Sequence, residues 1–352
     1  MFRLRNSLLR NKYSYSSNIL KRTFFNIPTG NGSNNLRPVY NRFDGSHQQG
    51  NGDGANFTQL LFDPSSRKYL AIIFGGGGLF YVTHLDEAPV SHRKRFIWLP
   101  RILELKIGEY TYNRVLQETG QSLLPANHPL TLKVERIFRR LVDAAISDPQ
   151  NANVRDLIKD VNWKIHIVND PRMPPNAFVL PGGKVFVFSS ILGICQNDNG
   201  LATVLSHEFA HQLARHTAEN LSKLPVYTLM GLTLYSITGS SYFNRLILDA
   251  AIRMPASRQM ETEADYIGLM IMSRACFDPR ESVNLWKRME NFEKTQMKGG
   301  MPLEFLSTHP SSDRRMENMK EWLPKAISIY EQSDCNAFRN VLTRGGFPTL
   351  FV

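Results

Sequence analysis

The sequence has few cysteines and no long apolar run. Its three cysteines, Cys195, Cys276 and Cys335, form no CxxC pair, which argues against a cysteine-ligated metal site. No stretch reaches 18 consecutive apolar residues, and the segment 225–238 favours a buried or interfacial helix over a membrane span. No internal repeat is present. With 42% hydrophobic and 21% charged residues, the 352-residue chain has the composition of a folded protein with room for a complete enzyme.

Acidic residues are absent before Asp44, whereas the same segment carries eight basic residues. An Arg-, Ser- and Asn-rich segment without acids is typical of a mitochondrial transit peptide, which we predict over residues 1–28. A disordered basic arm that contacts anionic lipid or RNA is the alternative. The net charge of +11 falls to +3 when residues 1–43 are left out, so we expect no nucleic-acid partner.

Two further segments precede the expected catalytic domain, which we place at residues 86–352. Residues 29–68 are rich in Gly and Asn and predict a flexible linker. Residues 69–85, YLAIIFGGGGLFYVTHL, have no charge apart from His84 and predict one transmembrane helix. Such a helix would span about 25 Å, less than the roughly 30 Å of a hydrocarbon core, so a buried glycine-rich hairpin is the alternative.

The remaining patterns predict a mainly α fold with a small β-sheet, that is, an α+β domain. Residues 130–146 place apolar side chains on one face at helical spacing. Residues 163–167 alternate as in a half-buried strand, with His166 expected to point to solvent. Residues 176–190 predict two short strands around a Pro-Gly-Gly turn. Residues 278–281, Asp-Pro-Arg-Glu, predict an N-cap, a Pro at N1 and a capping-box Glu at the start of a helix.

The segment HEFAH carries the main chemical signal. His207 and His211 are four residues apart, so on a helix they lie on one face and can direct two imidazole nitrogens at one point. Neutral imidazoles are good ligands for Zn2+. Glu208 is rotated by about 100° from His207 and can reach a water at the metal, which is the position of a general base. The helix is expected to take its cap from residues 198–200.

A third ligand is predicted about fifty residues later, in SRQMETEADYIG. Glu261 and Asp265 are again four residues apart. Glu261 can complete a His-His-Glu site that leaves one position open to water, while Asp265 orients a ligand histidine from behind. Glu263 lies on a different face and is the less favoured ligand. An ordinary solvated acidic helix face is the alternative.

Four motifs occur in one order: NAFVLPGG, HEFAH, METEAD and LSTHPSSDRR. Over residues 120–330 the chain resembles the membrane-associated zinc endopeptidases that include the CAAX prenyl endopeptidase and the bacterial protease HtpX. With its N-terminal segments it also resembles the mitochondrial inner-membrane members whose activity overlaps that of the m-AAA protease. The resemblance implies a zincin-like, gluzincin-type domain with Glu261 as the third ligand. It also implies that His309 donates to the oxyanion and that Arg315 is a structural or substrate-carboxylate contact.

We therefore expect a membrane-anchored zinc metalloendopeptidase with one Zn2+ per chain and Glu208 as general base. The expected substrate-binding residues lie on a strand edge before the catalytic helix: Lys184, Val185, Phe186 and Val187. The resemblance implies inner-membrane protein substrates that are cut in quality control and stress, a single pass through the mitochondrial inner membrane, a catalytic domain in the intermembrane space, and homo-oligomers. A catalytically silent, membrane-anchored zinc-binding scaffold or chaperone-like protein is the alternative.

The resemblance also bears on the state of the three cysteines. The partly oxidising compartment that it implies suggests that Cys276 and Cys335 form a redox pair. Cys195, in the apolar segment SSILGIC, is expected to be a small buried side chain. Three free thiols are the alternative.

Overall fold

The computed structural model describes residues 64–148, 152–158, 161–241, 244, 248–297, 309, 313–333 and 335. The expected transit peptide and most of the expected linker therefore lie outside the described residues. The chain divides into two compact units, Met1–Leu85 and Asp86–Val352.

In the first unit the structure describes one helix, α1 (Pro64–Thr83). This helix does not coincide with residues 69–85, the segment expected to form the transmembrane helix. The described helix starts at Pro64, inside the expected linker. It ends before Leu85, where a strand begins. Within the described part of the chain, no helix has both the length and the apolarity required to cross a bilayer.

The second unit is built mainly from helices around a small sheet, as predicted. Its strands are β1 (Leu85–Glu87, which starts at the unit boundary), β2 (Lys94–Phe96), β3 (Lys164–Val168), β4 (Ala177–Leu180) and β5 (Lys184–Phe188). Its helices are α2 (Arg101–Thr119), α3 (Pro129–Ile146), α4 (Ala152–Ile158), α5 (Ser189–Cys195), α6 (Asp198–Leu213), α7 (His216–Thr238), α8 (Met254–Arg274), α9 (Arg280–Met297) and α10 (Asp313–Gln332). A 3-10 turn follows α2 at Gly120–Ser122, and a π-helical turn, Asp249–Arg253, precedes α8.

The three-stranded sheet has the order β3-β5-β4. β3 runs parallel to β5, with Lys164 opposite Lys184, and β4 runs antiparallel to it. The predicted hairpin is confirmed: its turn contains Gly182 and Gly183 at φ 91° and 83°, a conformation that side chains with a Cβ rarely adopt.

The position of β5 corrects the expectation that Lys184, Val185, Phe186 and Val187 bind substrate. β5 is the central strand, and its backbone is paired on both sides, so it has no free edge for a peptide. All five of its residues are buried, and Lys184 Nζ donates to the Asn162 and Gly182 carbonyls at 3.0 Å each. The outer edges of this sheet belong to β3 and β4.

The expectation that His166 points to solvent is also wrong. Its ring is half-buried and stacks on Phe186 with a centroid distance of 5.0 Å. His166 Nε2 lies 3.1 Å from the Tyr112 hydroxyl of α2. Both faces of the sheet are therefore covered by side chains, so alternation along β3 does not divide core from solvent.

The core is centred on α6, which is buried on nearly every side. Phe209 of α6 packs edge-on against Phe138 of α3 and against Trp163, with centroid distances of 5.5 and 5.4 Å. The buried face predicted for α3 is confirmed. The cap predicted at residues 198–200 is wrong by one position, because Asn197 Oδ1 accepts from the Gly200 N–H at 2.9 Å.

Helix α9 begins as predicted, with one exception. Asp278 Oδ1 accepts from the Arg280 N–H at 2.9 Å and caps the helix. Glu281 does not complete a capping box: it accepts from the side chains of Asn197 and Arg288. The Asp278 N–H instead donates to the Asn199 side chain, which links the start of α9 to the start of α6.

The described residues also include a disulfide and an apolar surface on α7. Cys276, just after α8, and Cys335, just after α10, are joined in a disulfide, whereas Cys195 is free and buried. The segment 225–238 forms the second half of α7, and none of the side chains that the structure describes there is buried. It carries several exposed apolar side chains, namely Val226, Leu229, Leu232 and Tyr235.

Candidate metal centre

The centre forms where α6 packs against α8. The two helices approach closely at Gly268, where an added Cβ would lie 3.0 Å from the His207 backbone nitrogen. A glycine at this point lets the two backbones come together, and this approach brings Glu261 of α8 towards His207 and His211 of α6. His207 and Glu261 are both almost completely buried.

Four side chains offer ligand atoms that all lie within 4.8 Å of one another: His207, His211, Glu261 and His309. The two Nε2 atoms of His207 and His211 are 3.1 Å apart. Glu261 places one carboxylate oxygen 3.4 Å from His207 Nε2 and the other 3.5 Å from His211 Nε2.

These distances fit the metal that the sequence predicts. Ligand atoms about 2.0 to 2.1 Å from a tetrahedral Zn2+ are separated from one another by about 3.3 Å. The separations of 3.1 to 3.5 Å between the His207, His211 and Glu261 ligand atoms therefore suit a His-His-Glu zinc site.

His309 lies closer to the ligands than the sequence suggested. Its Nδ1 is 2.9 Å from Glu261 Oε2 and 3.2 Å from His207 Nε2, within the ligand cluster. Its Nε2 faces Glu208 Oε1 at 3.5 Å. His309 thus offers a fourth ligand atom on one side of its ring and a hydrogen-bonding group beside Glu208 on the other.

Glu208 lies next to the cluster. Its side chain is buried, and burial raises the pKa of its carboxyl above the ordinary value, although His309 and His207 oppose the rise. Within the described residues no group donates a hydrogen bond to Glu208 Oε1. A carboxyl with a raised pKa and an available oxygen can accept a proton from water and release it again.

The ligand side chains differ in charge. Burial, together with the neighbouring His207 and His216, lowers the pKa of His211 well below its usual value, which keeps this ring neutral as a metal ligand must be. Burial alone would lower the pKa of His207 as well, but hydrogen bonds to Asp265 and Glu261 raise it to about 9. Burial opposes ionisation of Glu261, yet His309 and His211 hold its pKa well below the ordinary value.

Asp265 and Arg315 lie where the sequence predicted support for the site. Asp265 Oδ1 is 3.0 Å from His207 Nδ1, on the side of the ring away from the cluster. Arg315 donates to both Asp265 oxygens, at 2.6 and 2.8 Å, and its guanidinium lies 4.0 Å from the centre of the Trp286 ring. Because Arg315 is buried in these contacts, the structure favours a structural role over a substrate contact.

Sequence reasoning missed a second set of residues behind His211. His216 Nδ1 lies 2.7 Å from His211 Nδ1, and His216 Nε2 lies 2.9 Å from Glu263 Oε2. Arg93 Nε donates to the same Glu263 oxygen at 2.8 Å. The sequence does show a histidine, His216, five residues after His211. The direction of the His216 side chain, however, depends on the left-handed backbone of Arg215 (φ 48°), which separates α6 from α7.

Comparisons with known proteins agree with this site. Residues 131–323, which include every residue of the ligand cluster, match peptidase family M48. The chain is 61% identical to the mitochondrial metalloendopeptidase OMA1 of Saccharomyces cerevisiae over 305 residues, which cover 86% of this chain and 87% of that protein. It is 44% identical to the protein of the same name from Schizosaccharomyces pombe over 78% of both chains. The β-barrel assembly-enhancing protease of Escherichia coli is 25% identical over 62% of this chain and 43% of its own. The chain therefore belongs to peptidase family M48, and it is a metalloendopeptidase.

Proposed function

We propose that the chain is a zinc metalloendopeptidase of the mitochondrial inner membrane that cuts inner-membrane proteins in quality control and stress. The observation that carries the proposal is the convergence of His207, His211 and Glu261, at separations suited to one Zn2+, with the buried Glu208 beside them. A donor set of two imidazoles and one carboxylate is that of a catalytic rather than a structural zinc site, and His207 would release a proton when the metal binds.

The chemistry divides between the metal and the side chains. Bound zinc would supply Lewis-acid activation of water and of the scissile carbonyl. Glu208 accepts the proton of the attacking water on its carboxylate and passes it to the leaving amine nitrogen. His309, through the Nε2 that faces Glu208, donates a hydrogen bond to the developing oxyanion. Asp265 Oδ1, 3.0 Å from His207 Nδ1, would accept the proton of that nitrogen and so keep Nε2 of the ring directed at the metal.

The location rests on separate arguments. The acid-free segment before Asp44 and the names of the yeast relatives support mitochondrial import. The uncharged stretch within residues 69–85 supports one membrane anchor. The disulfide between Cys276 and Cys335 supports a catalytic domain in the intermembrane space, since disulfides persist in oxidising compartments. The inner-membrane substrates and the homo-oligomeric state rest on the family resemblance alone.

The activity is tested with Glu208→Gln in the full chain. Wild type and variant should each bind one zinc ion, and the variant should cleave an unfolded fragment of an inner-membrane protein about 10²- to 10⁴-fold more slowly. Glu135→Gln, which removes a half-buried carboxylate on α3 that pairs only with Arg139 of the same helix among the contacts described, is the control and should cleave normally. Normal cleavage by Glu208→Gln, or a wild type that binds no zinc, would contradict the proposal.

The anchor is tested by alkaline carbonate extraction of mitochondria. The full chain should remain in the membrane pellet, whereas a chain without residues 69–85 should move to the supernatant. Release of the full chain under the same conditions would show that this segment does not hold it in the bilayer.

A further inference from the structure

Both ligand histidines of α6 turn one nitrogen to the ligand cluster and the other away from it. For His207 the outer nitrogen faces a carboxylate directly, that of Asp265 at 3.0 Å. For His211 the outer nitrogen faces another imidazole, with His211 Nδ1 and His216 Nδ1 only 2.7 Å apart. Two nitrogens at this distance can share one hydrogen between them, so one must donate and the other must accept.

The chemistry of a ligand decides the direction. If Nε2 of a neutral His211 binds the metal, the ring proton must be on Nδ1, which then donates to His216 Nδ1. The proton of His216 is then on Nε2, which donates to Glu263 Oε2 at 2.9 Å. Each hydrogen bond thus fixes the next, and the path from His211 ends on a carboxylate, as the path from His207 does.

The carboxylate at the end of this path is itself held in place. Arg93 Nε donates to Glu263 Oε2 at 2.8 Å, and the Ser91 hydroxyl donates to Glu263 Oε1. The other arm of the Arg93 guanidinium donates to both oxygens of Glu219, at 3.0 and 2.6 Å. His216, Glu263 and Glu219 are all buried, so these contacts are shielded from water.

We propose that His216 is a positioning residue of the metal centre, which accepts the Nδ1 proton of His211 and thereby fixes the tautomer and ring orientation of that ligand. Glu263 and Arg93 hold His216 in turn. The proposal rests on the proposed zinc site and extends it. Because Arg93 lies between β1 and β2, it also links the first hairpin of the second unit to the metal ligand through three successive contacts.

The test compares His216→Leu with His216→Gln in the full chain. Leucine removes both hydrogen bonds, whereas the glutamine amide can accept from His211 and donate to Glu263. His166→Leu, which removes a half-buried imidazole on the sheet, is the matched control. Zinc affinity is measured by chelator competition, the ligand geometry by the absorption spectrum of the Co2+-loaded protein, and folding by thermal unfolding of the metal-free protein.

We expect His216→Leu to weaken zinc binding by about 10- to 100-fold and to change the Co2+ spectrum. His216→Gln should recover most of the affinity, and His166→Leu should leave it unchanged. Wild-type affinity in His216→Leu would overturn the proposal and leave the proposed function intact. Equal losses in the leucine and glutamine variants, with equal destabilisation of the metal-free protein, would also overturn it, because they indicate a packing role. A wild type that binds no zinc would remove the proposed function itself, together with this proposal.

Discussion

The pair formed by Arg315 and Asp265 allows a quantitative prediction for Arg315→Leu. Both side chains are almost completely buried, and they are joined by two short hydrogen bonds, at 2.6 and 2.8 Å. Leucine would remove the guanidinium from Asp265 and from the face of the Trp286 ring. The Asp265 carboxylate would then remain buried without the guanidinium, and the His207 ring, 3.0 Å from Oδ1, would be its remaining close partner.

The expected change in the free energy of unfolding follows from the loss of the guanidinium. Removing one partner of a buried ion pair costs about 3 to 5 kcal/mol, whereas whole proteins are stable by only about 5 to 15 kcal/mol. We expect Arg315→Leu to lower the free energy of unfolding of the metal-free full chain by about 3 kcal/mol or more. The assay is urea unfolding in detergent, followed by tryptophan fluorescence.

A second substitution tests the cause. Asp265→Asn in the wild-type background should destabilise the protein, because the buried Arg315 guanidinium loses its closest carboxylate and keeps only the more distant Glu261 Oε2, at 3.4 Å. In the Arg315→Leu background the same change should stabilise the protein, because it removes a buried carboxylate that has lost its guanidinium, while the amide oxygen can still accept from His207. This change of sign is specific to a coupled pair.

The pH dependence has a defined direction. Burial opposes ionisation of Asp265, but the charge and hydrogen bonds of Arg315 hold its pKa below the ordinary value. A carboxyl with a lowered pKa stabilises the fold at pH values above its pKa in the unfolded chain, and this contribution is lost as the pH falls. The difference between wild type and Arg315→Leu should therefore be largest near neutral pH and shrink below about pH 4. A loss under 1 kcal/mol, or additive effects of the two substitutions, would refute the reasoning.

Three further predictions concern residues outside the ligand cluster. Gly268→Val should destabilise the protein by about 1 to 3 kcal/mol and weaken zinc binding, because the valine side chain would force α8 away from His207. Gly193→Ala, where no atom lies near the added Cβ, should be tolerated, and equal losses of stability in calorimetry would contradict the prediction. Asn197→Ala should lower the free energy of unfolding by about 1 kcal/mol, because α6 loses its N-cap. Asn284→Ala, which loses one exposed hydrogen bond, should lower it by at most about 0.5 kcal/mol, and urea unfolding of both variants measures the difference. Burial raises the pKa of the Cys195 thiol to about 12, so an alkylating reagent at pH 8 should modify it only after unfolding, as mass spectrometry would show; rapid labelling of the native chain would contradict its burial.

The helical spacing of the chemical residues explains why the ligand cluster was predictable. Four residues make about one helical turn, so pairs at that spacing share a face whatever surrounds the helix. The sequence alone therefore predicts that His207 lies beside His211 and that Glu261 lies beside Asp265. Neither prediction requires a contact between α6 and α8. The role of β5 was not predictable in the same way, because alternation shows that a strand exists and does not show which strands lie beside it.

The supporting residues behind the ligands depend on contacts that spacing does not encode. Glu263 lies about 200° round α8 from Glu261, so the same helix supplies a metal ligand on one side and the carboxylate for His216 on the other. The two arginines that hold the supporting carboxylates come from opposite ends of the described domain: Arg93 precedes α2, and Arg315 lies in the first turn of α10. The centre thus joins the first and last parts of the domain through buried charge pairs. If the segment that carries Arg93 or the one that carries Arg315 moves away, a buried carboxylate on α8 loses its arginine. Metal binding and the docking of both segments on α8 should therefore be energetically coupled.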